Sequence, residues 1–187
     1  MRKSKQLRYE AVQVVLAPAF PRPVGIELRP TTHPARADRA LRELTKAEIS
    51  RYLHKRASVV MVEEMEVCSG RARVDLAVIS DQLIGIEIKS GKDDVTRLPA
   101  QAEAYSRCFD RVVLVVDESL VAKAAPLIPT WWGLVVTFQQ DDRLTYVFER
   151  RPRRNPHLDL DALLALLWRE EVAALLGDLL GISAQPR

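Results

Sequence analysis

Short stretches of alternating or continuous hydrophobic residues recur along the chain, and turn residues separate them. This pattern predicts β-strands, because side chains alternate between the two faces of a sheet. Residues 112–116 are continuously apolar, which is typical of a strand buried on both faces. The predicted strands cover residues 9–16, 58–67, 72–79, 83–89, 111–117, 133–138 and 143–149.

Three other segments carry hydrophobic residues at helical spacing. The first covers residues 37–55, where Thr45 is a candidate cap dividing two short helices. A second helix is predicted for residues 96–108, where Pro99 fits only within the first turn. The third is leucine-rich and amphipathic and covers residues 158–180.

The order of these elements predicts an α/β sandwich around a small mixed sheet. A helix precedes a three-stranded meander, and a crossover helix then leads to a strand that should pair in parallel. Residues 1–36, rich in proline, are interpreted as an N-terminal arm, and residues 37–150 as the core. Residues 157–187 are interpreted as a C-terminal helix that packs on the core or on a second copy, as in a homodimer.

Composition adds only a few limits to this picture. The 187 residues are 48% hydrophobic and 28% charged, with a formal net charge of +3, as expected of a globular domain. A signal peptide is not predicted, because Glu10 and Gln13 interrupt the apolar run near the start. No apolar stretch is long enough to span a membrane, so a cytoplasmic protein is expected.

The sequence offers few residues for chemistry other than carboxylates and lysines. Cys68 and Cys108 show no CxxC spacing, so neither a disulfide framework nor a zinc site is predicted. The three histidines are scattered. No HExxH, GxSxG or phosphate-binding glycine loop is present.

The hairpin formed by residues 72–79 and 83–89 carries the most informative pattern. If its turn is centred on Asp81, Asp75 and Glu87 lie opposite each other on neighbouring strands. Lys89 then points to the same side as Glu87, with small Ala77 and Gly85 leaving room beside the charged groups. The residues of the other face are all apolar and are predicted to form the core side: Val74, Leu76, Val78, Ile84, Ile86 and Ile88.

Two facing carboxylates repel each other, and a divalent cation would remove that repulsion. Asp75 and Glu87 are therefore candidate ligands of Mg²⁺ or Mn²⁺, and Lys89 could orient a water or help to deprotonate it. Such a set of groups suits phosphodiester hydrolysis. The simpler alternative is a salt bridge from Lys89 to Asp75 or Glu87 at a strand end, since the pattern is short and common.

These residues and their order resemble the PD-(D/E)XK nuclease superfamily, which includes restriction endonucleases, Holliday-junction resolvases and repair nucleases. The resemblance covers residues 41–138, and the chain looks most like a small bacterial branch. It implies a restriction-endonuclease-like three-layer sandwich, with a small mixed sheet and flanking helices. One residue departs from the motif: Val74 stands at the position where the P of PD-(D/E)XK denotes a proline. The motifs are Arg-x-Asp at 73–75, Glu-Ile-Lys-Ser at 87–90, and Asp93 or Asp94 with Arg97, Leu98, Pro99, Gln101 and Tyr105.

The resemblance implies that Asp75 and Glu87 bind the metal, with the carbonyl oxygen of Ile88 as a further ligand. Lys89 would position the attacking water. Gln101 would face the site from the helix after the hairpin.

An acidic residue of the first helix often joins such sites, and the resemblance makes Glu48 the best candidate, ahead of Glu43. Glu64 is either a further acid of the metal site or an exposed strand residue. Tyr105 is expected to pack partly in the core, as are the neighbouring tryptophans Trp131 and Trp132, whose alternative role is stacking on unpaired bases.

The function expected from this resemblance is metal-dependent hydrolysis of DNA. The alternative is a nuclease-fold module that binds DNA or a partner protein without cutting it. Weak candidates for phosphate contacts are Arg73, Arg97, Arg151, Arg153 and Arg154.

Overall fold

The computed structural model contains one mixed β-sheet with helical residues packed on both faces. It describes residues 26–27, 39, 41–47, 49, 59–140 and 143–167. The strands are β1 (Ile26–Glu27), β2 (Val60–Val67), β3 (Ala72–Ile79), β4 (Leu83–Lys89), β5 (Arg111–Asp117), β6 (Gly133–Gln140) and β7 (Arg143–Arg150). The helices are α1 (residues 41–47), α2 (Leu98–Cys108), α3 (Val121–Ala124) and α4 (Leu160–Leu164), and a 3₁₀ turn covers Ala125–Leu127.

The sheet has seven strands in the order β1-β7-β6-β5-β4-β3-β2. Strand β5 runs parallel to β4 and to β6, and all the other pairs are antiparallel. Helix α2 forms the crossover between β4 and β5, because parallel neighbours cannot be joined by a tight turn. The predicted meander, crossover helix and parallel strand are therefore confirmed, and the fold is a mixed α/β architecture.

Both faces of the β3–β4 hairpin are buried, which corrects the prediction of a single apolar core side. Leu76 and Ile86 pack with Leu41 of α1 on one face. Ala77 packs with α2 on the other face, and so does Val74, which the alternation had assigned to the first face.

The alternation of β3 is interrupted at Asp75, and the neighbouring strand is irregular at the facing residue, Glu64. Glu63 pairs with Leu76 and Met65 with Val74, so Glu64 lies opposite Asp75. Glu64 has a φ of 52°, a left-handed conformation that non-glycine residues adopt only where the surroundings impose it. Val62 and Met65 of β2 pack in the same cluster as Val74 and Ala77 of β3, so the alternation is interrupted in both strands at this position.

The space expected beside Gly85 is filled by an aromatic ring. A Cβ atom on Gly85 would lie 2.9 Å from Cδ2 of Phe109. Phe109 follows α2 directly and is fully buried. The small residue therefore serves helix packing rather than an open cleft, which corrects the prediction.

The first helical segment lies where it was predicted, but Thr45 does not cap a helix as expected. Residues 39, 41–47 and 49 are helical. The hydroxyl of Thr45 donates to the carbonyl oxygen of Leu41 at 2.8 Å, so Thr45 lies inside the helix and caps nothing. Glu48 lies outside the described residues.

The ends of the chain are described only in part. Of the predicted arm, Ile26–Glu27 forms β1 and pairs with β7, while the strand predicted at 9–16 lies outside the described residues. Helix α4 begins after Asp159, whose carboxylate accepts from the backbone N–H groups of Asp161 and Ala162. Residues 165–167 form a turn rather than continuing the predicted helix, and its remainder is not described. In the described part of the chain, no helix combines the length and hydrophobicity needed to cross a membrane.

Cys68 and Cys108 are distant in sequence, yet the fold brings them together. Both are free and buried, and their Sγ atoms lie 3.6 Å apart. Burial and the neighbouring Cys68 raise the pKa of Cys108 to about 12. The thiol of Cys108 therefore stays protonated inside the core.

Candidate active site

The β3–β4 hairpin brings Asp75, Glu87 and Lys89 to one end of the two strands. Ile79 pairs with Leu83 and Leu76 with Ile86, so the register is centred on Asp81 as predicted. Asp75 and Glu87 form the next position along this register. There the ladder gives way to a side-chain contact, in which the backbone N–H of Ile88 donates to Oδ2 of Asp75 at 2.7 Å.

Glu87 is almost fully buried and is surrounded by hydrogen-bond donors. Lys89 Nζ donates to its Oε1 at 2.6 Å, and Gln101 Nε2 donates to the same oxygen at 2.7 Å. The hydroxyl of Tyr105 donates to Oε2 at 2.7 Å. A carboxylate that is 2% exposed needs such partners, because burial of an unpaired charge costs several kcal/mol.

Helix α2 supplies two of these donors from one face. Gln101 and Tyr105 are one turn apart, and both side chains reach Glu87. Tyr105 is also part of the core, as expected, and its ring stacks on Trp132 with centroids 5.9 Å apart. Burial and the nearby charge of Glu87 raise the pKa of Tyr105 far above its ordinary value, so the phenol stays protonated and acts as a donor.

The hydroxyl of Tyr105 also lies 2.6 Å from the backbone carbonyl oxygen of Arg73. This polar role of Tyr105 was not predicted, although its spacing from Gln101 was the available signal.

The carboxyl group of Asp75 has an unusual environment. Its side chain is 12% exposed, and its pKa is raised from 3.8 to about 6. Burial is the main cause, followed by the charge of Glu87; the Ile88 N–H and the cations of Arg42 and Lys89 act in the opposite direction. The ionised form of Asp75 thus carries an electrostatic cost in the folded protein.

Arg42 of α1 joins the site, and no pattern in the sequence indicated this contact. Its Nη2 contacts Asp75 Oδ1 at 2.8 Å, and its Nη1 contacts Glu64 Oε1 at 2.8 Å. Arg73 Nε contacts the other oxygen of Glu64, also at 2.8 Å. Glu64 is thus a strand residue that is 45% exposed and forms ion pairs with two arginines.

The donor set suits a small hard cation. Asp75 and Glu87 offer carboxylate oxygens, and oxygen ligands are those that Mg²⁺ and Mn²⁺ prefer. Oε1 of Gln101 is buried and has no hydrogen-bond partner among the described residues, so an additional oxygen beside Glu87 is left without a donor. Within the same described residues, no group of three or more His, Cys, Asp and Glu side chains is close enough to hold a metal; Glu48 is not among them.

The other candidate residues lie at different places in the fold. Arg97 is exposed and directly precedes α2, while Glu43 pairs with Lys46 at 3.2 Å. The tryptophans Trp131 and Trp132 are buried, which confirms the prediction that they belong to the core.

The predicted phosphate contacts Arg151, Arg153 and Arg154 follow β7, and strands β5 and β6 separate β7 from β4. Arg153 donates its backbone N–H to the carbonyl oxygen of Trp131 at 2.7 Å. The structure therefore does not bring this arginine cluster to Asp75 and Glu87.

The model of the bacteriophage P4 protein cII family matches residues 36–185, which is most of the chain. The chain belongs to the bacteriophage P4 protein cII family. The matched range contains every described residue of the candidate site. Protein cII of Enterobacteria phage P4 is 23% identical over 134 residues, which cover 70% of this chain and 51% of that protein. This member of the cII family thus spans about half the length of the curated relative.

One solved structure has a loose likeness to this cII-family chain. Pyrococcus furiosus SfsA in complex with Ca²⁺ is 13% identical, with 65% of each chain covered and a TM-score of 0.38. A likeness of this strength assigns neither a fold family nor a function.

Proposed function

We propose that this chain is a metal-dependent nuclease of the PD-(D/E)XK type, which hydrolyses phosphodiester bonds of DNA. The observation that carries the proposal is the convergence of Asp75, Glu87 and Lys89 at one end of the β3–β4 hairpin, with the pKa of Asp75 raised to about 6. Perturbed carboxylates of this kind concentrate at functional sites. The mixed sheet and the order of helix, meander, crossover helix and parallel strand support the restriction-endonuclease-like fold.

The chain's own residues would divide the work as follows. Asp75 and Glu87 hold the cation, with the carbonyl oxygen of Ile88 as a further ligand. Lys89, fixed 2.6 Å from Glu87, orients the attacking water, and Gln101 positions Glu87 from α2. When bound, Mg²⁺ or Mn²⁺ supplies Lewis acidity towards the phosphate and neutralises the two carboxylates.

Lys89 is held more rigidly than an ordinary lysine. It is 4% exposed, and burial of its long side chain restricts the rotamers that a surface lysine would sample. A general acid–base or water-orienting group needs such fixed geometry. The contact between Lys89 and Glu87 therefore supports catalysis as well as charge pairing.

The direct test is cleavage of plasmid and single-stranded DNA with Mg²⁺, Mn²⁺ or EDTA. Wild type should cut only with metal, and Asp75→Ala and Lys89→Ala should each lose roughly a hundredfold or more in rate. Glu103→Ala and Lys123→Ala remove the same kinds of charge at exposed helical positions and should cut normally. Full metal-dependent cleavage by Asp75→Ala would refute the proposed site.

A second candidate function is a module that binds DNA or a partner protein without cutting it. One observation favours it: both oxygens of Asp75 already have protein partners, Arg42 at 2.8 Å and the Ile88 N–H at 2.7 Å. Titration with Mn²⁺ separates the two functions. Binding that disappears in Asp75→Asn supports the nuclease, whereas absence of binding in wild type supports the module.

A further inference from the structure

Arg42 occupies the position of a cation at the candidate metal ligand Asp75. Its two terminal nitrogens reach different carboxylates, Asp75 at 2.8 Å and Glu64 at 2.8 Å. A guanidinium group can make such a fork, because its donors are fixed in one plane. A bound divalent cation and this guanidinium would both use the charge of Asp75.

Arg42 is also held in place from its far side. Glu64 accepts from Arg42 through one oxygen and from Arg73 through the other, each at 2.8 Å. Glu64 keeps this position with a backbone φ of 52°, a strained conformation that persists only when the surrounding contacts enforce it. The strained residue, on an adjacent strand, thus holds the arginine against Asp75.

We propose that Arg42 is the resident counter-ion of Asp75 and competes with the divalent cation for that carboxylate. This inference rests on the proposed metal site and adds to it a residue that sets the metal affinity. Without metal, the guanidinium offsets part of the repulsion between Asp75 and Glu87. Occupation of the site then requires that the contact between Arg42 and Asp75 be broken, while Glu64 keeps Arg42 nearby.

Mn²⁺ affinity, measured by titration calorimetry of the intact chain at pH 8, tests the inference without reference to cleavage. At this pH Asp75 is ionised, since its pKa is about 6. Arg42→Met should lower the Kd for Mn²⁺ roughly tenfold, because a partly buried charge-assisted hydrogen bond no longer has to be broken. The aliphatic Met keeps much of the length of the side chain, and the buried Leu41 and Leu44 still anchor α1.

Two further variants distinguish competition from a general change in charge. Arg42→Lys keeps the charge but cannot form the same fork to both carboxylates. Its Kd for Mn²⁺ should therefore lie between those of wild type and Arg42→Met, about threefold below wild type. Among the described residues, the side chain of Arg73 forms its ion pair with Glu64 rather than with Asp75 or Glu87. Arg73→Met should therefore change the Kd by no more than about twofold.

The outcomes separate this inference from the function on which it rests. Tightening in Arg42→Met and Arg42→Lys, with little change in Arg73→Met, supports the competition. Equal affinities for wild type and Arg42→Met, or equal tightening in Arg42→Met and Arg73→Met, would overturn the role of Arg42 and leave the metal site intact. No Mn²⁺ binding by any form would overturn the metal site itself, and the competition with it.

Discussion

The negative charge of Asp75 should destabilise the metal-free protein, so Asp75→Asn is expected to fold more stably in EDTA. The folded protein raises the pKa of Asp75 from 3.8 to about 6, which means that it binds the proton more tightly than the unfolded chain does. The stabilisation that the folded protein gains from this tighter proton binding is fully present below pH 3.8. It is lost as the pH rises through about 6, where Asp75 of the folded protein ionises. At pH 8 the whole cost applies.

The size of this cost follows from the same shift. One pKa unit corresponds to about 1.4 kcal/mol, so a rise of about two units corresponds to about 3 kcal/mol at most. Asparagine keeps an oxygen that can accept from the Ile88 N–H, but it loses the ion pair with Arg42. The expected gain for Asp75→Asn at pH 8 is therefore about 1 to 3 kcal/mol.

The assay is urea unfolding in EDTA, followed by the fluorescence of the buried Trp131 and Trp132. The gain from Asp75→Asn should be present at pH 8 and should shrink as the pH falls towards 4, where wild type also carries a protonated Asp75. Asp94→Asn is the matched control, because hydrogen bonds from Thr96 lower the pKa of that exposed carboxyl. The control should not stabilise the protein at pH 8.

The reasoning would be refuted if Asp75→Asn were less stable than wild type at pH 8, or if its gain did not depend on pH. Saturating Mn²⁺ should reverse the order of the two proteins. Wild type then gains the free energy of metal binding, which the asparagine variant loses with its ligand.

Three further variants test the packing around the site, each by urea unfolding. Tyr105→Phe removes the hydroxyl donor to Glu87 and should cost about 1 to 2 kcal/mol; an unchanged midpoint would contradict this contact. Gly85→Ala places a methyl group 2.9 Å from Phe109 and should cost about 1 to 3 kcal/mol, part of which Phe109→Leu should restore if the clash is the cause. Asn155→Ala removes the amide that donates to the carbonyl oxygens of Ser106 at 2.6 Å and Phe109 at 2.8 Å. The free energy of unfolding should fall by about 1 kcal/mol or more, and a smaller loss would show that water replaces the amide as donor.

Local patterns in the sequence were sufficient to locate most of the strands and the acidic hairpin. The predicted segments 72–79, 83–89 and 111–117 coincide with β3, β4 and β5, because alternation and continuous apolar runs are properties of neighbouring residues. The turn at Asp81 then determined which residues of β3 and β4 face each other. The placement of Asp75 near Glu87 and Lys89 followed from that register alone.

The tertiary structure decided how these groups are surrounded. The contact of Arg42 with Asp75, the filling of the space at Gly85 by Phe109 and the approach of Cys68 to Cys108 all join residues that are distant in sequence. No periodic pattern encodes such contacts, since they depend on how α1 and α2 pack on the sheet. Likewise, the alternation predicted for β3 is interrupted at Asp75, so that Val74 packs on the same side as Ala77; this irregularity lies opposite the positive φ of Glu64 and leaves no mark in the hydrophobic pattern. The sequence thus determined which residues meet along the hairpin, and the packing of the helices determined their burial, their charge partners and the raised pKa of Asp75.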